Sequence, residues 1–326
     1  MIGRLRLAAR SFSTAPRDLF DRGVWPIMAT PFLPDSEDVD YASFEKSVSF
    51  MRSAGASGVT VIGVLGESNR LLDAEREQLV RCAVAAAGGM PVCVGTSHAG
   101  TRATMELSRM AQDLGAMAVM VTPSREAAPL PATKMVEYFS RVAEGIDIPI
   151  VLQDHPASTQ VHMSMDLVAR ICREVPAVGA VKMESLPSPP KLRQLRGLLA
   201  EDGRDDVALL VGLGALYGAF DADAGIDGFM TGFAFPEVLR ALVNAAHDGR
   251  RDDMHAIYAK WLPLIVFEQQ PGVAVRKELY RLRGIAESGT VRHPGGVLLP
   301  GAGEALQDVI ERVLGNGVDI TKPVVV

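Results

Sequence analysis

The chain is short of cysteine, of basic residues and of long apolar runs, and each shortage removes a class of function. Its three cysteines, Cys82, Cys93 and Cys172, are far apart, odd in number and never spaced as CxxC. That pattern excludes a disulfide framework and a structural zinc site, and it suits buried thiols in a reducing compartment, the cytoplasm. Lys and Arg number 33 against 39 Asp and Glu, for a net charge of -6. With no basic stripe and no nucleic-acid motif, nucleic acid is excluded as a partner. No stretch reaches the roughly 20 apolar residues of a membrane helix, and no apolar h-region of a secretory signal occurs. What remains, 48% hydrophobic and 22% charged residues in 326, is enough to bury a sizeable core and points to small-molecule chemistry.

The first 22 residues differ from the rest. Arg4, Arg6, Arg10 and Arg17 are interleaved with Leu and Ser, and no acid precedes Asp18. Residues 1–22 therefore read as an N-terminal extension outside the fold, either disordered or a targeting segment whose composition also fits a mitochondrial presequence. The matrix is then the alternative to the cytoplasm.

From Gly23 onward, short apolar runs alternate with longer segments of helical spacing. Eight runs are expected as strands: Val24 to Ala29, Gly58 to Ile62, Pro91 to Val94, Ala118 to Val121, Pro149 to Leu152, Gly179 to Lys182, Ala208 to Val211 and Gly228 to Thr231. The gaps hold one helix each, with starts at Asp40, Ala74 and Thr133 marked by acids or hydroxyls. Uninterrupted apolar runs mean strands covered on both faces. Eight such β-α units close most naturally into a (β/α)₈ barrel of the triosephosphate-isomerase type over residues 23–235. An open doubly wound sheet is the alternative, but no glycine fingerprint follows the first strand. Residues 236–326 are expected to be helical and to pack on the barrel.

In a barrel of this kind the chemistry sits at the carboxyl ends of the strands. Lys182 follows Val178-Gly179-Ala180-Val181 without a break, so it belongs to the sixth strand, with Ala180 on the same face leaving room above it. A lysine of pKa about 10.4 must be desolvated or set near a cation before it can attack a carbonyl. The competing reading is a strand-end lysine that reaches solvent or pairs with Glu184. Gly63-Val64-Leu65-Gly66-Glu67-Ser68, after the second strand, can form an anion-binding nest of backbone amides, or an ordinary tight turn.

Taken in order, Gly23 to Phe32, Gly63 to Ser68, Gly95-Thr96, Val121-Thr122-Pro123, Val181-Lys182, Val275-Arg276-Lys277 and Val291 to Pro294 resemble the dihydrodipicolinate synthase and N-acetylneuraminate lyase family. The resemblance implies a class I lyase on a barrel with C-terminal helices, usually a homotetramer built as a dimer of dimers. It implies that Lys182 forms a Schiff base with pyruvate or another 2-oxo acid, while the amides around Val64 and Leu65 hold the carboxylate. It calls for no metal or organic cofactor. Gly63, Gly66 and Thr30 then belong to the substrate-binding surround.

The chain departs from the family where protons move. Gln153-Asp154-His155-Pro156 replaces a Tyr-Asn-x-Pro motif, Val64 and Leu65 replace a hydroxyl pair, and Ser124 and Arg125 stand where a tyrosine pair is usual. Ser158 stands where dihydrodipicolinate synthases carry a substrate-gripping arginine. These departures argue against the lysine-biosynthetic reaction. His155 is the first candidate for the missing acid-base group, with Gln153 orienting a water or hydroxyl, His98 second, and Arg125 facing a distal carboxylate. For each histidine a structural or solvent-facing role competes. Two other readings compete with the Schiff-base lyase. One is a metal-dependent lyase with His98, His155, Asp154, Glu67 or Glu184 as ligands; the other is a non-catalytic 2-oxo acid binding protein.

Overall fold

Eight parallel strands and their intervening helices form the fold in the computed structural model, which describes residues 16–126, 128–270 and 272–326. The strands are β1 (Gly23–Pro26), β2 (Val59–Val61), β3 (Val92–Gly95), β4 (Ala118–Val121), β5 (Ile150–Asp154), β6 (Val178–Met183), β7 (Ala208–Val211) and β8 (Gly228–Thr231). They run in the order β1-β8-β7-β6-β5-β4-β3-β2, and a parallel bridge between Ile27 and Thr60 joins the two ends. This is a (β/α)₈ barrel, as the eight apolar runs led one to expect.

Strand alternation explains its interior. Trp25, Ile27, Cys93, Met120, Val151, Ala180, Ala208, Leu210 and Met230 form one buried cluster inside the ring. Large side chains from some strands sit beside alanines from others, which is how a barrel fills its own centre. The outward side chains of the same strands, among them Val24, Val119, Leu152, Val181 and Phe229, join the larger core beneath the helices. Helix starts follow side-chain chemistry. Asp40 caps Tyr41–Ser53 by accepting from the Ser43 amide at 3.0 Å, and Ser164 caps Met165–Glu174 by accepting from Leu167 at 3.2 Å. Each supplies one of the acceptors that a helix start lacks.

Residues 16–22 correct the expected boundary of the N-terminal extension. Pro16–Phe20 is a short helix, and Phe20 is fully buried against Trp25 with ring centroids 5.0 Å apart. Arg17 pairs with Asp227 at 2.7 Å. An aromatic ring that closes the floor of the barrel contributes about 2 kcal/mol of burial, so this segment belongs to the fold. The rest of the expected extension, with Arg4, Arg6 and Arg10, falls on residues 1–15, outside the described residues.

Beyond β8 come the helices Pro236–His247, Arg251–Glu268, Ala274–Leu282 and Ala302–Leu314. Arg283 fastens them to one another. It is 1% exposed, pairs with Glu237 at 2.6 Å and donates to the carbonyls of Ile320 and Lys322 at 3.0 and 3.1 Å. Among the described residues no helix is long and apolar enough to cross a membrane.

Candidate active site

Lys182 is the fifth residue of β6, and the β5·β6 register sets it directly beside Gln153. Both side chains point into the ring above Ala180 and Val151, and both residues are 3% exposed. Two residues further on, Glu184 returns to the same side of the chain. Its Oε2 lies 3.2 Å from Lys182 Nζ and accepts from Gln153 Nε2 at 2.6 Å. Its Oε1 accepts from the Leu213 amide at 3.2 Å. A side chain at Gly212 would occupy the space of this carboxylate, so the bare backbone after β7 is what lets Glu184 turn inward. Burial pushes the Glu184 carboxyl up, but Lys182, His155, Gln153 and the Leu213 N–H together outweigh it and hold the group below its usual value. It is therefore an ionised carboxylate at neutral pH, in contact with the amine.

His155 follows β5 and begins the short helix Pro156–Thr159. Its Nδ1 is 2.8 Å from Ser158 Oγ and 3.9 Å from Glu184 Oε2. Histidine and lysine thus address one carboxylate from two sides, and Glu184, not His155, is the acid-base group nearest the amine. The cavity around them measures 520 Å³ and is lined also by Ile27, Val64, Leu65, Thr231, Arg276 and Gln269. That volume suits a small organic acid. A second cavity of 610 Å³ adjoins it through Val64, Leu65, Gln153 and Ser158.

The Gly63-Val64-Leu65-Gly66 segment forms a 3₁₀ turn over Val64–Gly66. Its closing bonds use the Gly66 and Glu67 amides. The Val64 and Leu65 amides have no partner among the described residues, and both residues line the cavities. Two adjacent free amides beside the lysine suit a carboxylate. Thr30 does not line either cavity; it is buried and donates to Gly66 O at 2.7 Å, holding the turn from below.

The turn is also held from the C-terminal helices. Glu67, 1% exposed and in the left-handed region at φ 54, pairs with Lys277 and with Arg70 at 2.6 Å, and accepts from the Arg292 amide at 3.2 Å. Lys277 also donates to Thr290 O at 2.7 Å and stands 4.2 Å from the Phe32 ring centroid. Burial pushes the Lys277 amine down to about 8, against the pull of Glu67. Replacing Lys277 with methionine leaves a buried carboxylate with Arg70 as its remaining ion partner. Stability should fall by about 3 kcal/mol, and KM for the substrate should rise more than kcat falls. Thermal melts and steady-state kinetics check both. A Glu67→Gln/Lys277→Met double variant should regain much of the lost stability.

Two expected site residues are not brought in. His98 lies beyond the end of β3, is exposed, and uses Nδ1 to accept from the Gly100 amide at 3.0 Å just before the helix Thr101–Asp113. Arg125 is exposed on the loop after β4, where Ser124 Oγ donates to Ala99 O at 2.8 Å and ties the two loops together. Neither lines the Lys182 cavity. Among the described residues no group of three or more His, Cys, Asp or Glu side chains is arranged to hold a metal. Asp154 bonds Ser185 Oγ at 2.6 Å on the opposite face of β5 from Gln153, and Glu67 is engaged by Lys277 and Arg70. His98, His155, Asp154, Glu67 and Glu184 are thus not gathered into one cluster.

Glu184, Glu268, Gln269 and Arg276 complete the cavity and were not picked out as substrate-facing from the sequence. Glu184 has a legible signal, since two residues along a strand from Lys182 means the same face. Glu268 and Gln269, at the end of a distant helix, carry none, and Arg276 stands out in the sequence only within Val275-Arg276-Lys277, with no role attached.

A lysine inside a parallel barrel, at the carboxyl ends of its strands, beside a carboxylate and a pair of free amides, is the equipment of a carbonyl-directed lyase. Comparison with known proteins agrees: residues 21–313 match the dihydrodipicolinate synthetase family model, and the chain belongs to that family. It is 35% identical over 311 residues to an L-2-keto-3-deoxyarabonate dehydratase of Azospirillum brasilense, spanning 92% of this chain and 96% of that one. A 4-hydroxy-tetrahydrodipicolinate synthase of Methanothrix thermoacetophila is 31% identical over 303 residues, spanning 90% and 97%. The crystal structure of dihydrodipicolinate synthase from Rhodopseudomonas palustris superposes with a TM-score of 0.85 at 34% identity, covering 93% of this chain and 100% of that chain. The protein is an enzyme of the lyase class.

Proposed function

We propose that this enzyme dehydrates a 3-deoxy-2-oxo acid through a Schiff base on Lys182. The observation that carries the reading is Glu184 Oε2 at 3.2 Å from Lys182 Nζ, oriented by a Gln153 hydrogen bond of 2.6 Å at the place where the family's proton-moving tyrosine is missing. The similarity to a 2-keto-3-deoxy sugar acid dehydratase supports the same reaction.

The chemistry runs from the geometry. The substrate carboxylate takes the Val64 and Leu65 amides, which sets its ketone over Lys182. Attack of Nζ on C2 and loss of water give an imine, whose protonated form draws electrons from C3. C3 is two bonds from the nitrogen, so a carboxylate that touches Nζ also flanks the C3 hydrogens. Glu184 removes one of them, and the enamine then expels the C4 hydroxyl as water, with a proton from the Glu184–His155 pair. Water returns to C2 and frees the lysine. Cleavage of the C3–C4 bond would instead need a base at the C4 hydroxyl, the work of the absent tyrosine. The three free, buried cysteines support a cytoplasmic setting, and family resemblance supports a homotetramer.

Incubation with pyruvate and borohydride should add a reduced pyruvyl group to a single peptide, the one holding Lys182, as read by mass spectrometry. An unmodified Lys182, with pyruvate and with hydroxylated 2-oxo acids alike, would sink the proposal.

A further inference from the structure

The far wall of the Lys182 cavity is built by the C-terminal helices, and its polar groups are unspent. Arg276 is 4% exposed and lines the cavity. Its Nε donates to Glu268, but its two Nη nitrogens have no acceptor among the described residues. The guanidinium lies against Gly232, just past β8, where any side chain would collide with it and with Leu65. Gln269 supplies a second donor. Its Nε2 is buried without a partner and lies over Gly214 so closely that a side chain there would overlap it. Two glycines thus keep the strand ends bare where a guanidinium and an amide approach.

We propose that Arg276 and Gln269 form a distal subsite that selects a hydroxylated, uncharged tail on the 2-oxo acid. This rests on the Lys182 reading above. Charge balance favours a hydroxyl over a second carboxylate. Arg276 is already paired with Glu268, which is 3% exposed and also accepts from the Ala234 amide at 3.1 Å. Lys182 is likewise matched by Glu184. A dicarboxylate would bring an extra buried anion towards two carboxylates with no unmatched cation to receive it. A hydroxyl oxygen accepts from Nη and Nε2 without adding charge, and it satisfies donors that are costly to leave unmade. A plain methyl leaves them unmade, which is how polar pockets reject substrates lacking a hydroxyl.

Three substrates that differ only at C5 isolate the effect: 4,5-dihydroxy-2-oxopentanoate, 4-hydroxy-2-oxopentanoate and 4-hydroxy-2-oxoglutarate. The wild-type enzyme should prefer the first by about 10- to 100-fold in kcat/KM. Gln269→Leu and Arg276→Lys should collapse that preference mainly through KM, while pyruvate trapping on Lys182 continues as in the wild type and shows the variants folded. Trapping that persists with C5 discrimination unchanged in both variants overturns the subsite alone, as does a wild-type preference for the dicarboxylate. Loss of trapping in the wild type overturns the Lys182 reading and the subsite with it.

Discussion

Replacing Lys182 with arginine should abolish turnover, a loss of at least about 10⁴-fold. Arginine keeps a positive charge beside Glu184, whose carboxylate would otherwise be buried without its nearest cation, so the barrel should still fold. The 520 Å³ cavity above gives the longer side chain room. What arginine lacks is a neutral form, since a guanidinium is not deprotonated inside a protein, and without one no imine can form. The variant should melt close to the wild type and show neither product nor a borohydride adduct. Retention of more than a few per cent of wild-type kcat would mean that the nucleophile is elsewhere.

Glu184→Gln should lower kcat by about 10²- to 10⁴-fold, the usual worth of a positioned acid-base group, while pyruvate trapping persists. The substitution keeps the shape and leaves an amide oxygen for the Leu213 N–H, but it cannot take a proton from C3. The separation of the two readouts is the diagnostic, because a structural role would depress trapping and turnover together. The wild-type pH profile gives a second check. The Glu184 carboxyl is held below its usual value, after burial is outweighed by Lys182 and its other partners. The acid limb of kcat/KM, which reports the free enzyme, should therefore lie below pH about 4.3, the ordinary value for glutamate. Stability follows the same sign. The contribution of Glu184 is fully present above that unfolded-state value and disappears as pH falls through the lower folded-state one. A kcat within threefold of wild type in the glutamine variant would remove Glu184 from the reaction.

The barrel was legible because doubly covered parallel strands must be apolar along their length, and such runs stand out between amphipathic helices. Lys182 was legible because an unbroken strand leads into it. His155 and Gln153 line the cavity, while His98 lies in the exposed segment beyond Gly95, the last residue of β3, and its ring accepts from the Gly100 amide. Lying past a strand end does not itself decide the matter, since His155 and Glu184 also lie just past theirs and do line the cavity. Phe20 was hidden by the company of arginines and serines; only the open floor of the barrel reveals why an aromatic is placed there. Arg276 and Gln269 were out of reach for a different reason. Their role depends on which bare strand ends their helices cross, and no local pattern records that.

The clasp of Lys277 on Glu67 has a consequence for the protein as it is made. The barrel strands and the Val64–Gly66 turn emerge from the ribosome first, but the cation that fixes Glu67 lies on a helix made after all eight strands, and Arg292 later still. A nascent chain halted after β8 would own Lys182 and every strand, yet lack both the Lys277 partner of Glu67 and the far wall of its cavity. The surround of Lys182 is thus completed only by residues that follow the eighth strand, so the strands alone do not make the finished cavity.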